Sequence, residues 1–237
     1  MLTAYFDCFS GISGDMLLGA FLDAGLEFTE LERHIAGLAL SGYEISCKKI
    51  LKKGISSSSF NVNVIDEQPC RGFTEIADII MRSSLEKSVK NNAISIFRII
   101  GMAEAKVHHK TLEDVHFHEI GAVDSIIDIC GAAIAFHIMG IKRVVSSPLN
   151  TGCGYVKTEH GLLPVPAPAT AEILKGIPFY ANEVEGELVT PTGAAVISFY
   201  TGSFSQMPEM KVMNIGYGAG TRELDIPNLL RLYIGYC

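Results

Sequence analysis

The stretch Leu2-Thr-Ala-Tyr-Phe-Asp-Cys-Phe-Ser-Gly-Ile-Ser-Gly-Asp-Met-Leu-Leu-Gly-Ala-Phe-Leu-Asp-Ala-Gly25 reads as strand, loop and helix in immediate succession. Leu2 to Phe6 is a short buried strand. Ser10 to Asp15 is a polar, glycine-containing loop. Met16 to Ala24 is an apolar helix that Gly25 stops.

Further along, Thr29 with Glu32 three residues later predicts a capping box, and Leu31, Ile35 and Leu38 mark one face of the helix it opens. Tyr43, Ile45 and Cys47 alternate with polar neighbours, as do Phe60, Val62 and Val64, so both runs are period-two strands. Lys52-Lys53-Gly54 is the turn between them. Ser56 to Ser59 is a polar run too short for a linker. Helices are expected over Phe73 to Met81, along the face marked by Ala93, Ile96, Phe97, Ile100, Ala103 and Val107, and over Val123 to Met139, with Gly140 as a stop. Arg143 to Ser147 reads as a strand.

Beyond Pro148 glycine and proline become dense, with an extended run expected at Pro164 to Pro168. Thr190 is a helix cap with Pro191 at the first helical position, and Gly202 lies past the end. Met210 to Ile215 and Leu229 to Ile234 are closing strands. Strands mixed with helices predict an α+β class: a central, largely mixed sheet flanked by helices. A single module spanning residues 1–237 is expected, with a boundary near residue 148 giving possible lobes 1–147 and 148–237.

Composition narrows the function. The 237 residues carry a net charge of −7. That balance argues against nucleic acid, whose phosphates need a basic face, and suits cation binding. Small anions remain compatible, since backbone amides hold them locally. The most apolar stretch, Val123 to Ile141, contains Asp124, Asp128 and His137. It is therefore a buried helix and not a membrane span. The six cysteines form no C-x-x-C pair, which argues against a thiolate zinc ribbon. No secretory signal opens the chain, and a reducing cytoplasm is expected.

The chemistry concentrates at His116-Phe-His118-Glu119. On an extended segment both imidazoles face one side. Asp124 and Asp128 follow at i,i+4 on one helix face, with Gly131 and Ala135 continuing it. Imidazole and carboxylate together suit zinc, nickel, cobalt or iron. The histidines also fit plain backbone hydrogen bonding, and Asp124 a helix cap. Two histidines and three carboxylates beside an apolar run are nevertheless costly to bury unpaired. His108-His109 fits either a solvent-exposed helix end or a further ligand. His160 and Cys153 are less specific. His34 and His137 read as structural.

Three loops present hydroxyls and amides. Asp7 to Asp15, with Ser10, Gly11, Ser13 and Gly14, is a strand-to-helix loop of the anion-holding kind. It lacks the lysine of a Walker loop. Asp7 and Asp15 would repel a bare phosphate, and taken alone the loop reads slightly better as a tight turn with a capping serine. Thr190-Pro-Thr192-Gly193 is a second helix start. Gly216-Tyr-Gly-Ala-Gly-Thr-Arg222 is a third, flexible loop, its guanidinium able to clamp an anion. Together they suggest a phosphorylated small molecule bound near a metal.

These motifs, in this order, resemble the nickel-insertion proteins of nickel-pincer cofactor biosynthesis, the LarC family. The stretches are Tyr5 to Ala20, Val115 to Ile129, Gly161 to Thr170, Gly186 to Ala195 and Gly216 to Arg222. The resemblance implies an enzyme, a nickel chelatase of the lyase class. It would insert nickel into pyridinium-3,5-bisthiocarboxylic acid mononucleotide with consumption of CTP and a divalent cation, for delivery to a lactate racemase-type apoenzyme. His116, His118, Glu119 and His108 are then candidate nickel ligands. Ser10, Gly11, Ser13, Gly14, Thr190, Thr192, Gly193 and Arg222 would hold the nucleotide. Asp15 or Asp124 would take the ring proton. Two departures stand out. Glu67 to Arg71 replaces a His-rich run of many family members. The C-terminal, CTP-associated module is lacking, so little turnover by this chain alone is expected. A nickel carrier without turnover, or a metal-dependent phosphohydrolase using Asp7 and Asp15, are the competing expectations.

Overall fold

A computed structural model describes residues 1–66, 68–115, 117 and 122–237. The expected ligands His116, His118 and Glu119 lie outside the described residues, as does Glu67.

The opening unit is as expected: β1 (Leu2–Asp7), then α1 (Gly14–Asp23). Next come α2 (Phe28–Ala36), the hairpin of β2 (Tyr43–Lys52) and β3 (Ile55–Val64), α3 (Phe73–Arg82), α4 (Lys87–Val107) and α5 (Val123–Ile138). The remainder is β4 (Arg143–Ser146), β5 (Leu149–Asn150), β6 (Tyr155–Thr158), β7 (Gly161–Pro164), α6 (Pro168–Ile173), β8 (Phe179–Tyr180), α7 (Pro191–Tyr200), β9 (Ser203–Phe204), β10 (Lys211–Ala219) and β11 (Leu229–Tyr236).

One seven-stranded sheet, ordered β2-β3-β10-β11-β1-β4-β9, organises the chain. It is mixed: β1 runs antiparallel to β11 and parallel to β4. The class is the α+β arrangement expected. Strands from both sides of residue 148 share this sheet. Two-stranded pairs β5-β8 and β6-β7 lie outside it.

Alternation on β1 and β11 puts Ala4, Phe6, Leu232 and Ile234 against the helices, all almost fully buried. There Phe6, Phe21 and Phe136 meet edge-on or tilted, with ring centroids 4.9 to 6.0 Å apart, a geometry that aromatic quadrupoles favour. Helix α1 lies directly on β10. A side chain at Gly218 would place its Cβ 1.7 Å from the Met16 carbonyl oxygen, and one at Gly216 2.1 Å from that of Ala20. The glycines of Gly216 to Gly220 were expected to make a flexible loop. Gly216 and Gly218 instead sit within β10, where the missing side chains let helix and strand backbones touch.

Other expectations shift similarly. Helix α2 starts at Phe28, with Glu27 accepting the first amide bonds, so Thr29 is inside the helix and caps nothing. The reaching-back carboxylate occurs at α3, where the Gly72 N–H donates to Glu75 Oε2 at 2.8 Å. Ser56 to Ser59 belongs to β3, and Ser58 is buried because its hydroxyl donates to Asp23. The expected extended run at Pro164 to Pro168 is divided: Pro164 ends β7 and Pro168 opens α6, where a proline's missing N–H costs nothing. Helix α5 is the expected buried helix, enclosed by α1, α2, α4, α7 and β3. No described helix is long and apolar enough to cross a membrane. All six cysteines are free thiols.

Candidate functional site

The loop after β1 is zipped to the loop before α7. Ile12 donates its N–H to Leu188 O at 2.9 Å, and Thr190 returns one to Ile12 O at 3.1 Å. Gly11 turns the chain at φ +80°, and a Cβ there would lie 1.9 Å from Leu188 O. Gly193 lets α7 approach Ile12 in the same way, its would-be Cβ 2.2 Å from that carbonyl oxygen. The starts of α1 and α7 are thereby clamped side by side, and the start of α5 closes the third wall.

Between them is a cavity of about 390 Å³, within the usual size range for small-ligand sites. Its carboxyl groups are Asp15 from α1, Asp124 and Asp128 from α5, and Glu187 from the loop before α7. Hydroxyls come from Ser13, Ser125, Thr190, Thr192 and Thr221, and Val62 of β3 supplies apolar surface, with Phe60 fully buried behind it. No lysine, arginine or histidine lines it among the described residues. A smaller adjoining cavity of about 120 Å³ shares Ser13, Asp15, Glu187, Thr190 and Thr221 and adds Gly220, Arg222 and Asn228.

Burial lifts the Asp15 carboxyl above its ordinary range, opposed by a hydrogen bond from the Ser13 hydroxyl and by backbone amides. Asp128 is raised well above its ordinary value, first by burial and then by the charges of Asp15 and Asp124. Asp128 lines the cavity, yet its Oδ1 is closed off from solvent and has no hydrogen-bond partner among the described residues. Its carboxyl presses on the first turn of α1: a Cβ on Gly14 would lie 2.3 Å from Asp128 Oδ2. Only glycine admits it there.

Of the residues singled out from sequence, Ser13, Gly14, Asp15, Asp124, Thr190 and Thr192 converge on the main cavity. Thr190 Oγ1 also caps α7 by accepting from the Gly193 N–H at 3.2 Å. Arg222 lines only the adjoining cavity, where its Nη1 donates to Glu187 O at 2.8 Å. Ser10, Gly11 and Gly193 do not line either cavity; Ser10 is fully buried and the two glycines serve backbone packing. His108 ends α4, with Nε2 3.3 Å from Glu104 Oε2 and its ring 4.8 Å from that of His160. It lines neither cavity. His34 Nδ1 lies 2.9 Å from Glu30 O one turn earlier, and His137 Nδ1 lies 3.5 Å from the Ser88 hydroxyl on α4. Asp7 is held by Arg231, at 3.1 Å from Nε, and does not join Asp15. Among the described residues no three His, Cys, Asp or Glu side chains are grouped to hold a metal ion.

Asp128 shows only part of its role in the sequence. Its spacing from Asp124 was visible, but the Gly14 contact that gives it a place in the cavity is tertiary. Asn61 and Asn228 carry no motif, and Glu187 and Thr221 lie inside the Gly186–Ala195 and Gly216–Arg222 stretches without standing out there.

A family model described as nickel insertion protein matches residues 4–236. The chain is 53% identical over 235 residues to a pyridinium-3,5-bisthiocarboxylic acid mononucleotide nickel insertion protein of Desulfitobacterium hafniense, covering 99% of this chain and 58% of that protein. It is 50% identical over 238 residues to a putative nickel insertion protein of Geotalea daltonii, covering 99% and 61%. A Geobacillus kaustophilus protein with the first of these names is 47% identical over 247 residues, covering 99% and 60%. The chain thus spans about three fifths of the length of these curated relatives. No solved structure matches.

Proposed function

The chain belongs to the nickel insertion protein family, and from that premise we propose that it holds pyridinium-3,5-bisthiocarboxylic acid mononucleotide while nickel is inserted. The match over residues 4–236 carries the reading. The charge distribution of the joined cavities supports it and orients the ligand. In this reading the ring lies in the main cavity, with its pyridinium nitrogen toward the carboxyl groups. The phosphate belongs at the adjoining cavity, near Arg222, Asn228 and the hydroxyl-bearing starts of α1 and α7.

In this proposal nickel is substrate. It arrives through His116, His118 and Glu119, with His108 as a more distant capture ligand. Metal–carbon bond formation breaks a ring C–H bond. Its electron pair passes to nickel and its proton to a carboxylate, Asp15 or Asp124. CTP with a divalent cation drives the step through a further module, in the cytoplasm, and the product goes to a lactate racemase-type apoenzyme. The phosphohydrolase alternative loses support, since Asp7 is engaged by Arg231. The chelatase reading is tested by mass spectrometry for a nickel-containing nucleotide after incubation with substrate, Ni²⁺ and CTP, with and without a C-terminal module. Product is expected only with the module; no product in either case overturns the assignment.

Histidine ligands bind metal in the neutral form. Nickel affinity should therefore weaken as pH falls through about 6.5, the ordinary imidazole pKa. Replacing both His116 and His118 with Ala should abolish tight nickel uptake in equilibrium dialysis. Unchanged affinity would remove them as ligands.

A further inference from the structure

We propose that the open end of the sheet's second face, around Ile215 and Tyr233, is where the further module of the family protein docks. The inference takes from the reading above only that such a module acts with this chain. Substrate and product do not enter its test, so its failure leaves the substrate reading standing.

Strand alternation assigns the two faces of the sheet. Ala4, Phe6, Leu232 and Ile234 face the helices and are almost fully buried. Tyr5, Arg231 and Tyr233 therefore face the other way. Ile215 and Tyr217 join them, because Ile215 pairs with Tyr233 and Tyr217 with Arg231. The helices packed closely on β3, β10 and β11 are α1 and α5, and both lie on the Phe6 side. One end of the second face is closed, since Ala219 and Leu229 are fully buried. The other end is open. Ile215 is 46% exposed and Met213, at the bulge of β10, is 57% exposed. Tyr217, Arg231 and Tyr233 are half-buried.

The side chains there are already ordered. The Arg231 guanidinium lies 5.2 Å from the centre of the Tyr233 ring and is held from behind by Asp7. The Tyr5 ring stands 6.2 Å from that of Tyr233. Covering groups that are fixed in advance costs little further entropy. Tyrosine, methionine and arginine around an exposed isoleucine is also the composition that separates the middle of an interface from ordinary surface.

The chain ends decide the occupant. The Met1 ammonium donates to Cys237 O at 2.7 Å, and Tyr236 pairs with both Leu2 and Lys211. Both ends thus lie together at the open end of the face, three residues along β11 from Tyr233. About two fifths of each curated relative lies outside the match. From whichever end a relative carries it, that extra length leaves the sheet beside the patch. A module so attached meets the patch at high effective concentration and without a long linker. A second copy fits less well: each chain carries a net charge of −7, and like charges oppose stacking two of them.

The test joins this chain to the unmatched part of the Desulfitobacterium hafniense relative, in the order that relative has them. Hydroxyl-radical labelling, read by mass spectrometry, compares the joined protein with this chain alone. Labelling of Met213, Tyr217 and Tyr233 should fall several-fold on joining. Met81 and Met102, exposed on α3 and α4, should keep theirs. Ile215→Asp, a surface change that leaves this chain's own urea transition in place, should restore the lost labelling. Unchanged labelling on joining overturns the inference, as does protection confined to the helices or to the edge strand β2. Protection that survives Ile215→Asp overturns it too. So does the same protection in this chain alone as its concentration rises, which would make the occupant a second copy.

Discussion

Helix α1 has a carboxylate at each end, and the fold treats the two in opposite ways. At its C-terminal end Asp23 accepts from the Ser58 hydroxyl at 2.8 Å, from the Tyr217 N–H at 2.9 Å and from the Lys49 ammonium. Every one of these donors belongs to the sheet, so Asp23 fastens α1 to β2, β3 and β10. A carboxylate is unfavourable against a helix C-terminus, and three donors compensate. At the N-terminal end Asp128 reaches over from α5 and presses on Gly14, but its Oδ1 has no donor among the described residues. A satisfied carboxylate is a fastening. An unsatisfied one is costly to ionise.

The comparison can be broken in graded ways. The largest effect is expected where helix and sheet touch through glycine. Gly218→Ala puts a methyl group 1.7 Å from the Met16 carbonyl oxygen. It should cost on the order of 4 kcal/mol or more, read as loss of soluble folded chain or of a cooperative urea transition. Next, Asp23→Ala strands the Tyr217 N–H and the Ser58 hydroxyl. A loss of about 2–3 kcal/mol in denaturant unfolding is expected. A loss under about 0.5 kcal/mol would mean that the fastening is replaceable.

Asp128→Asn should have the smallest effect and the opposite sign. Because the folded pKa of Asp128 lies above the unfolded value, the native state binds the extra proton. The resulting stability is fully present below about pH 3.9, the unfolded pKa, and is lost as pH rises through the folded value. Asp15, also raised, adds a slope of the same sign. The substitution should therefore leave a shallower decline with pH. Its stability relative to the wild type should rise with pH, and a gain of about 1 kcal/mol would read as about 2–4 °C in Tm for a chain of this size. Thermal unfolding across pH checks this. A destabilised Asn variant with an unchanged slope would make Asp128 as structural as Asp23.

Much of this was legible in the residues. The first strand, loop and helix, the buried Val123 helix and the Thr190 cap all follow from apolar periodicity and end signals, which act over a few positions. So does the clustering of Ser13, Asp15, Asp124 and Thr192 as chemistry-bearing residues. What escaped depends on contacts between distant segments. Gly216 and Gly218 look like loop residues until α1 is laid on them. Ser10 and Gly11 look like ligand holders until Leu188 is found against the turn. Asp128 looks like the companion of Asp124 until Gly14 is seen to admit it to the wall of the cavity. Glycine is the recurrent source of error, since its sequence signal is the same whether it frees a loop or lets two backbones meet.

The order β2-β3-β10-β11-β1-β4-β9 puts the last two strands of the chain between β3 and β1. During synthesis both flanks of the sheet are made before its middle. Helix α1, which rests on β10, waits until residues 211–219 are made before its seat exists. Docking residues 211–236 between partners made long before is a slow, non-local event. Until it happens, apolar strand edges stay open to the wrong neighbours. Translation pauses or chaperone depletion over that interval should therefore leave aggregated chain, whereas the same disturbance after Tyr236 has emerged should leave this sheet intact.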